Sequence, residues 1–167
     1  AAAVPATAAP APAPTAHPAA VPAGWAVYRN PTWKYSVAYP PGWYQPPADQ
    51  AMFHYFSNEN VSQHGRMSSA GIDLVVHASA TCLGLGGGDS EFAPLVSSAK
   101  IDVAGQPVTR YFTQFKPPVG SVGGWNADAA VQVGGTCLDI GYFAYSRSVA
   151  ESLLPTFDLM VASIRPA

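Results

Sequence analysis

Tyr35-Ser36-Val37-Ala38-Tyr39-Pro40-Pro41-Gly42-Trp43 is the stretch whose reading decides the fold. Tyr35, Val37 and Tyr39 alternate with Ser36 and Ala38, the period of two that belongs to a strand with one buried face. Pro40 and Pro41 cannot donate to a sheet ladder, so the strand must end there or lie at an edge. Gly42 supplies the backbone freedom that a tight turn needs. Trp43 returns a large apolar surface to the core, worth about 2–3 kcal/mol if fully buried.

Upstream, residues 1–24 are almost wholly Ala, Pro, Val and Thr, with one His at His17. Prolines at Pro5, Pro10, Pro12, Pro14, Pro18 and Pro22 forbid a regular helix and favour extended, polyproline-like backbone. At about 3.1 Å per residue the segment would reach roughly 70 Å. It has neither the charged start nor the long apolar run of a signal peptide. It reads as an arm or linker: a tether, a disordered tail, or a segment that lies on a partner. The globular domain is expected over residues 25–167.

Downstream, short strands are expected at 25–28, 33–39, 51–56 and 71–79, the last with Ile72, Leu74 and Val76 on one face and Asp73, Val75 and His77 on the other. A polar turn-like segment lies between, at 58–65. The Gly-rich run Gly84-Leu85-Gly86-Gly87-Gly88 lacks the Gly-Lys-Ser/Thr of a phosphate loop and reads as a loop. Residues 91–98 are read as a short helix, 101–112 as two strands around a turn at Gly105-Gln106, and 116–124 as a Pro/Gly loop. Two more strands, 127–133 and 136–145, flank Gly134-Gly135, a hairpin turn or a bulge. The end of the chain switches period. Leu153, Leu154, Phe157, Met160, Val161 and Ile164 recur at helical spacing. Ser148 to Glu151 fits a capping box, Pro155 should interrupt or restart the helix, and Pro166 ends it. The expected fold is α+β: about six to seven mostly antiparallel strands packed by one C-terminal amphipathic helix.

A chain of 167 residues has room for one core. Only 11% of residues are charged and the net charge is −2, with no basic cluster, which argues against nucleic acid and anionic lipid as partners. The two cysteines, Cys82 and Cys137, suggest one structural disulfide and an oxidising compartment; the alternative is two buried free thiols.

Three stretches carry a resemblance. Tyr28-Arg29-Asn30 followed by Tyr35 through Trp43, the hairpin Val103-Ala104-Gly105-Gln106-Pro107-Val108-Thr109-Arg110, and the ending Leu154-Pro155-Thr156-Phe157 through Ile164 resemble the PsbP-like domain family. The resemblance spans nearly all of residues 25–166. It implies an α/β/α sandwich and extracytoplasmic life, often as a lipid-anchored bacterial protein. It also implies a non-enzymatic role docking on larger assemblies, as with photosystem II and, in the import factor that shares the fold, Ran. Here the Gly-rich loop with Cys82 takes the place of the helix between the middle strands, so no functional residue is carried over.

Chemistry is thinner. His54, Asp73 and His77, with His64 nearby, would form a metal site only if strand register brought them together. No serine lies in a Gly-x-Ser-x-Gly elbow, and Asp73, Asp89, Glu91, Asp102, Asp128 and Asp139 are scattered. The expectation is therefore no enzyme and no cofactor. Aromatic residues are the more telling feature: Trp25, Trp33, Trp43 and Trp125, with Tyr28, Tyr35, Tyr55 and Phe56. Those left over from the core would make a low-charge docking face. Two functions remain. One is an accessory or structural subunit of an extracytoplasmic membrane-associated or surface assembly, a photosynthetic complex included, held by its arm. The other is a solitary lipoprotein domain that binds a small ligand or a divalent metal.

Overall fold

The computed structural model describes residues 20–45, 47, 52–58, 71–77, 82, 93–116 and 123–167, with backbone alone for 73–77. Among them the elements follow in the order β1 (Ala26–Asn30), β2 (Tyr35–Tyr39), β3 (Phe53–Ser57), β4 (Gly71–His77), β5 (Leu95–Val103), β6 (Gln106–Phe115), β7 (Gly124–Val133), β8 (Thr136–Ala144), α1 (Arg147–Ser163) and β9 (Arg165–Pro166). Six strands make one antiparallel sheet in the order β3-β4-β8-β7-β6-β5, and β1-β2-β9 make a second, smaller one. The fold is α+β, with a C-terminal helix packed on a mostly antiparallel sheet. The expected loops at 59–65, 83–90 and 117–122, with His64 and the arm prolines Pro5, Pro10, Pro12, Pro14 and Pro18, lie outside the described residues.

The quoted stretch is the hinge between the two sheets. All five residues of β2 are buried. Tyr39 packs against Phe56 of β3, ring centroids 5.5 Å apart. The strand ends as its prolines require: the Trp43 N–H donates to the Pro40 carbonyl at 3.3 Å, and Gly42 takes a φ of 79°. That is the positive φ of a type II turn with proline before glycine, a conformation costly to any residue with a Cβ. On its other edge β2 pairs with β9 only at Tyr35 and Ser36. The next free donor, the Ala38 N–H, is met by the Ser163 hydroxyl at 2.8 Å, which in turn donates to the Met160 carbonyl at 2.7 Å. A side chain at the helix end thus stands in for the missing length of β9, as burial of a backbone donor demands.

Two expectations fail here for physical reasons. The helix expected over 91–98 is not found in its described part, 93–98, since β5 begins at Leu95 and pairs with β6. Its first four residues are exposed at the edge of the sheet, so no buried-face alternation marks them as strand. Pro155 neither interrupts nor restarts α1, which runs unbroken from Arg147 to Ser163. A proline inside a helix costs about 3 kcal/mol. Beyond it Phe157, Met160 and Val161 are fully buried, each worth about 1.5–3 kcal/mol, and together they outweigh the proline. The cap also lies one turn fragment earlier than expected: the Ser146 hydroxyl accepts from the Val149 N–H at 3.2 Å, while Glu151 accepts from Arg147 Nε at 2.8 Å. Gly134-Gly135 proves to be a two-residue hairpin turn, with Val133 opposite Thr136.

Candidate binding face and buried polar joint

The two faces of the large sheet differ sharply. Along β7, Ala127, Ala129, Val131 and Val133 are buried, and they alternate with Asn126, Asp128, Ala130 and Gln132, which are not. The buried side is the one α1 covers. Two polar anchors hold the helix there. The Tyr142 hydroxyl donates to the Ala150 carbonyl at 2.6 Å. Arg110 Nε lies 3.0 Å from Asp158 Oδ1, without the alignment of a good hydrogen bond. In register Arg110 sits between Ala99 and Ala129, whose small side chains leave room for its stem. Burial pushes the Asp158 carboxyl up, and the guanidinium offsets part of that.

The opposite face carries three features in a row. At one end a cavity of about 320 Å³ is lined by Gln106, Thr109, Tyr111, Ala130, Gln132 and Cys82, a volume at the lower end of ligand sites. In the middle stands an acid pair. Asp128 lies opposite Gly141 and Asp139 opposite Ala130, which sets the two carboxylates diagonally across the β7–β8 hairpin. The Asp128 carboxyl is pushed up to about 6, by burial first and by Asp139 second, against the lowering effect of a hydrogen bond from Asn126. At the far end three aromatic rings form a ridge. Phe115 and Phe143 are 6.3 Å apart and Phe143 and Tyr145 5.2 Å, both edge to face. Tyr145 is 59% exposed and Phe115 38%. Gly124 makes the ridge possible: a Cβ there would stand 2.3 Å from the Phe143 ring.

The acid pair sets a pH dependence. A carboxyl whose folded value is raised contributes stability below its unfolded value, and that contribution is lost as the pH rises through the folded one. For Asp128 the window runs from about 4 to about 6. Asp128→Asn is therefore expected to stabilise the protein at pH 7.5 by about 1 kcal/mol, after discounting for solvent at a partly open carboxyl, and to be neutral at pH 4. Urea unfolding at the two pH values measures this, and equal effects at both would exclude it.

The residues singled out in the sequence divide clearly. Cys82 and Cys137 form the disulfide, with S–S 2.05 Å and Cα atoms 5.1 Å apart. It fits an oxidising, extracytoplasmic compartment. The metal trio is not brought together. His54 is paired with Leu74, whereas Asp73 and His77 are paired with Gly141 and Cys137, at register positions on the other face of the sheet. Pro22 accepts from the Trp25 N–H at 3.3 Å in the turn before β1. All four tryptophans pack, half-buried, against the core, and Tyr28, Tyr35 and Phe56 are fully buried. Among the described residues the aromatic side chains exposed at the surface are instead Tyr44, Phe53, Phe115 and Tyr145, with Phe143 half-buried against the last two. The alternation Phe143-x-Tyr145 carried a signal for the ridge that the strand assignment alone did not use.

His54 has a different role. It is 1% exposed and belongs to a joint between the sheets. Tyr35 Oη lies 2.8 Å from His54 Nδ1 and Asn30 Nδ2 lies 3.2 Å from His54 Nε2. Asn30 Nδ2 also donates to Tyr28 Oη at 3.1 Å. Asn30 Oδ1 accepts from the backbone N–H groups of Thr32 and Trp33, both at 3.0 Å, which closes the turn between β1 and β2.

No family model matches the chain, and no curated protein matches it. Among solved structures, a protein of Bacteroides thetaiotaomicron VPI-5482 is similar at 10% identity and a TM-score of 0.52 over 84% of this chain. The chain spans about half of that protein's length, 48%. The solution structure of the cyanobacterial PsbP (CyanoP) of Synechocystis sp. PCC 6803 is similar at 12% identity and a TM-score of 0.51, over 90% of this chain and 100% of that one. The likeness is one of fold, and the fold is PsbP-like. Among the described residues no helix is long and apolar enough to cross a membrane.

Proposed function

We propose that this protein is a non-enzymatic, extracytoplasmic accessory subunit that docks on a larger membrane-associated or surface assembly through its Ala/Pro arm and the aromatic end of the open sheet face. The observation that carries the reading is the ridge of Phe115, Phe143 and Tyr145. Exposed aromatic residues on a surface where charge is scarce are the composition of a docking patch. A polyproline-like arm loses less entropy on binding than a flexible one, and linked to such a patch it raises the effective concentration of a weak contact. A lipid anchor upstream of the arm would hold the domain at the membrane, and a photosynthetic complex is one assembly this fold would suit. A second reading, a solitary lipoprotein domain binding a small ligand, is favoured by the cavity beside Cys82.

Deleting residues 1–24, and separately replacing Phe115 and Tyr145 by Ser, is expected to leave the melting temperature nearly unchanged. Each change should weaken retention in the assembly severalfold, read as stoichiometry after purification from native membranes. Full stoichiometry for both variants would refute docking and leave the ligand reading.

A further inference from the structure

The large sheet ends in an open edge. β5 is its terminal strand and, among the described residues, pairs with β6 alone. The hairpin turn fixes which backbone groups of β5 face outward. Ala104 and Gly105 take positive φ values of 53° and 85°, the two-residue turn that closes on Val103 and Gln106. That closing pair exchanges both ladder bonds, and hydrogen-bonded and non-hydrogen-bonded pairs alternate from there. Ile101 and Ala99 therefore turn their N–H and C=O groups to β6, whereas Asp102, Lys100 and Ser98 turn theirs away from it. Pro107 stands opposite Asp102, a place where its missing N–H costs β5 nothing. At the start of the strand a register shift between Leu95 and Ser97 ends the regular edge.

We infer that this edge joins a second copy of the chain, β5 to β5 in antiparallel pairing about a two-fold axis at Ile101, so that two large sheets become one. Strand addition to a sheet edge is a recurring mode of recognition, and a two-fold contact uses the same patch twice. The charges choose the register. Ladder bonds form only where outward-facing residues stand opposite one another. Pairing centred on Lys100 would set the two Lys100 side chains directly opposite, which is destabilising. Pairing centred on Ala99 would carry Asp102 beyond the register shift, opposite Val96. Pairing centred on Ile101 sets Lys100 of each copy opposite Asp102 of the other, two opposite-charge pairs at hydrogen-bonded positions. Both side chains lie on the open face, since Ile101 and Val103, which alternate with them, are buried on the face that α1 covers. There Ile101 would meet its own copy at the close, non-hydrogen-bonded position, and the apolar row would continue across the axis. Asp102 is held ready by the turn, its Oδ1 accepting from the Gly105 N–H at 3.0 Å. Lys100 Nζ donates to Thr109 Oγ1 at an exposed contact, and an ammonium has two further protons to give. The ridge at Phe115 lies at the other end of β6 and stays uncovered, so this inference does not depend on the docking reading.

Sedimentation equilibrium of the full chain should show a monomer–dimer equilibrium. Lys100→Glu turns both opposite-charge pairs into like-charge pairs and should weaken the dimer by about tenfold. Asp102→Lys should do the same. Mixed together, the two variants should associate about as tightly as wild type, because each then faces the charges it lacks. If Asp102→Lys upsets the turn that its carboxylate closes, hydrogen exchange of the wild-type protein carries the test. The outward-facing amides of Lys100 and Asp102 should exchange more slowly as protein concentration rises. A monomer at every concentration, a dimer indifferent to the charge changes, or exchange at these two amides that ignores concentration would overturn the inference.

Discussion

Phe157→Ala is expected to lower stability by about 3–5 kcal/mol, a large share of what a domain of this size possesses. Phe157 is fully buried on α1 and meets Tyr142 of β8 edge to face, with centroids 5.5 Å apart. Removing the ring leaves a cavity between helix and sheet, where the Arg110–Asp158 and Tyr142–Ala150 anchors hold the two apart and resist collapse. It also removes part of the apolar burial that holds Pro155 inside an unbroken helix. Urea unfolding followed by circular dichroism measures the loss. A value below about 1 kcal/mol would mean that the helix is peripheral and the sheet folds without it.

Loss of the Cys82–Cys137 disulfide is expected to cost about 4 kcal/mol in the chain-entropy model, since it releases a loop of 55 residues. Cys137 is buried on β8, an inner strand of the sheet between β4 and β7, so the bridge fastens Cys82 to a strand paired on both edges. Reduced and oxidised protein, compared by denaturant midpoint with intact mass as the check on redox state, should differ by that amount. Two free thiols on the non-reduced protein, or coincident unfolding curves, would refute it.

Where a strand buries one face, the sequence announced it: β7 and β8 lie close to their expected positions. The misses share a cause. β5 begins at the edge of the sheet, where exposed residues leave no alternation to read, and Pro155 is tolerated because of burial contributed by distant strands. The metal trio failed on register, which a local pattern does not contain: His54 and His77 each belong on a strand, but pairing puts them on opposite faces. The acid pair shows the reverse. Asp128 and Asp139 look scattered until Gly134-Gly135 is recognised as a two-residue turn, after which the diagonal follows by counting.

The pairing of β2 with β9 has a bearing on how the protein is made. Ser36 and Arg165 are partners across 129 residues, and the Ser163 hydroxyl that satisfies Ala38 comes from the same late segment. The small sheet is thus completed only when the residues that follow α1 are in place, and the hairpin of β1 and β2 has one edge unpaired until then. Contacts of such separation slow folding. Completion of the small sheet is therefore tied to the segment that follows α1, and the long-range pairing, more than either local hairpin, sets when the β1–β2 edge closes.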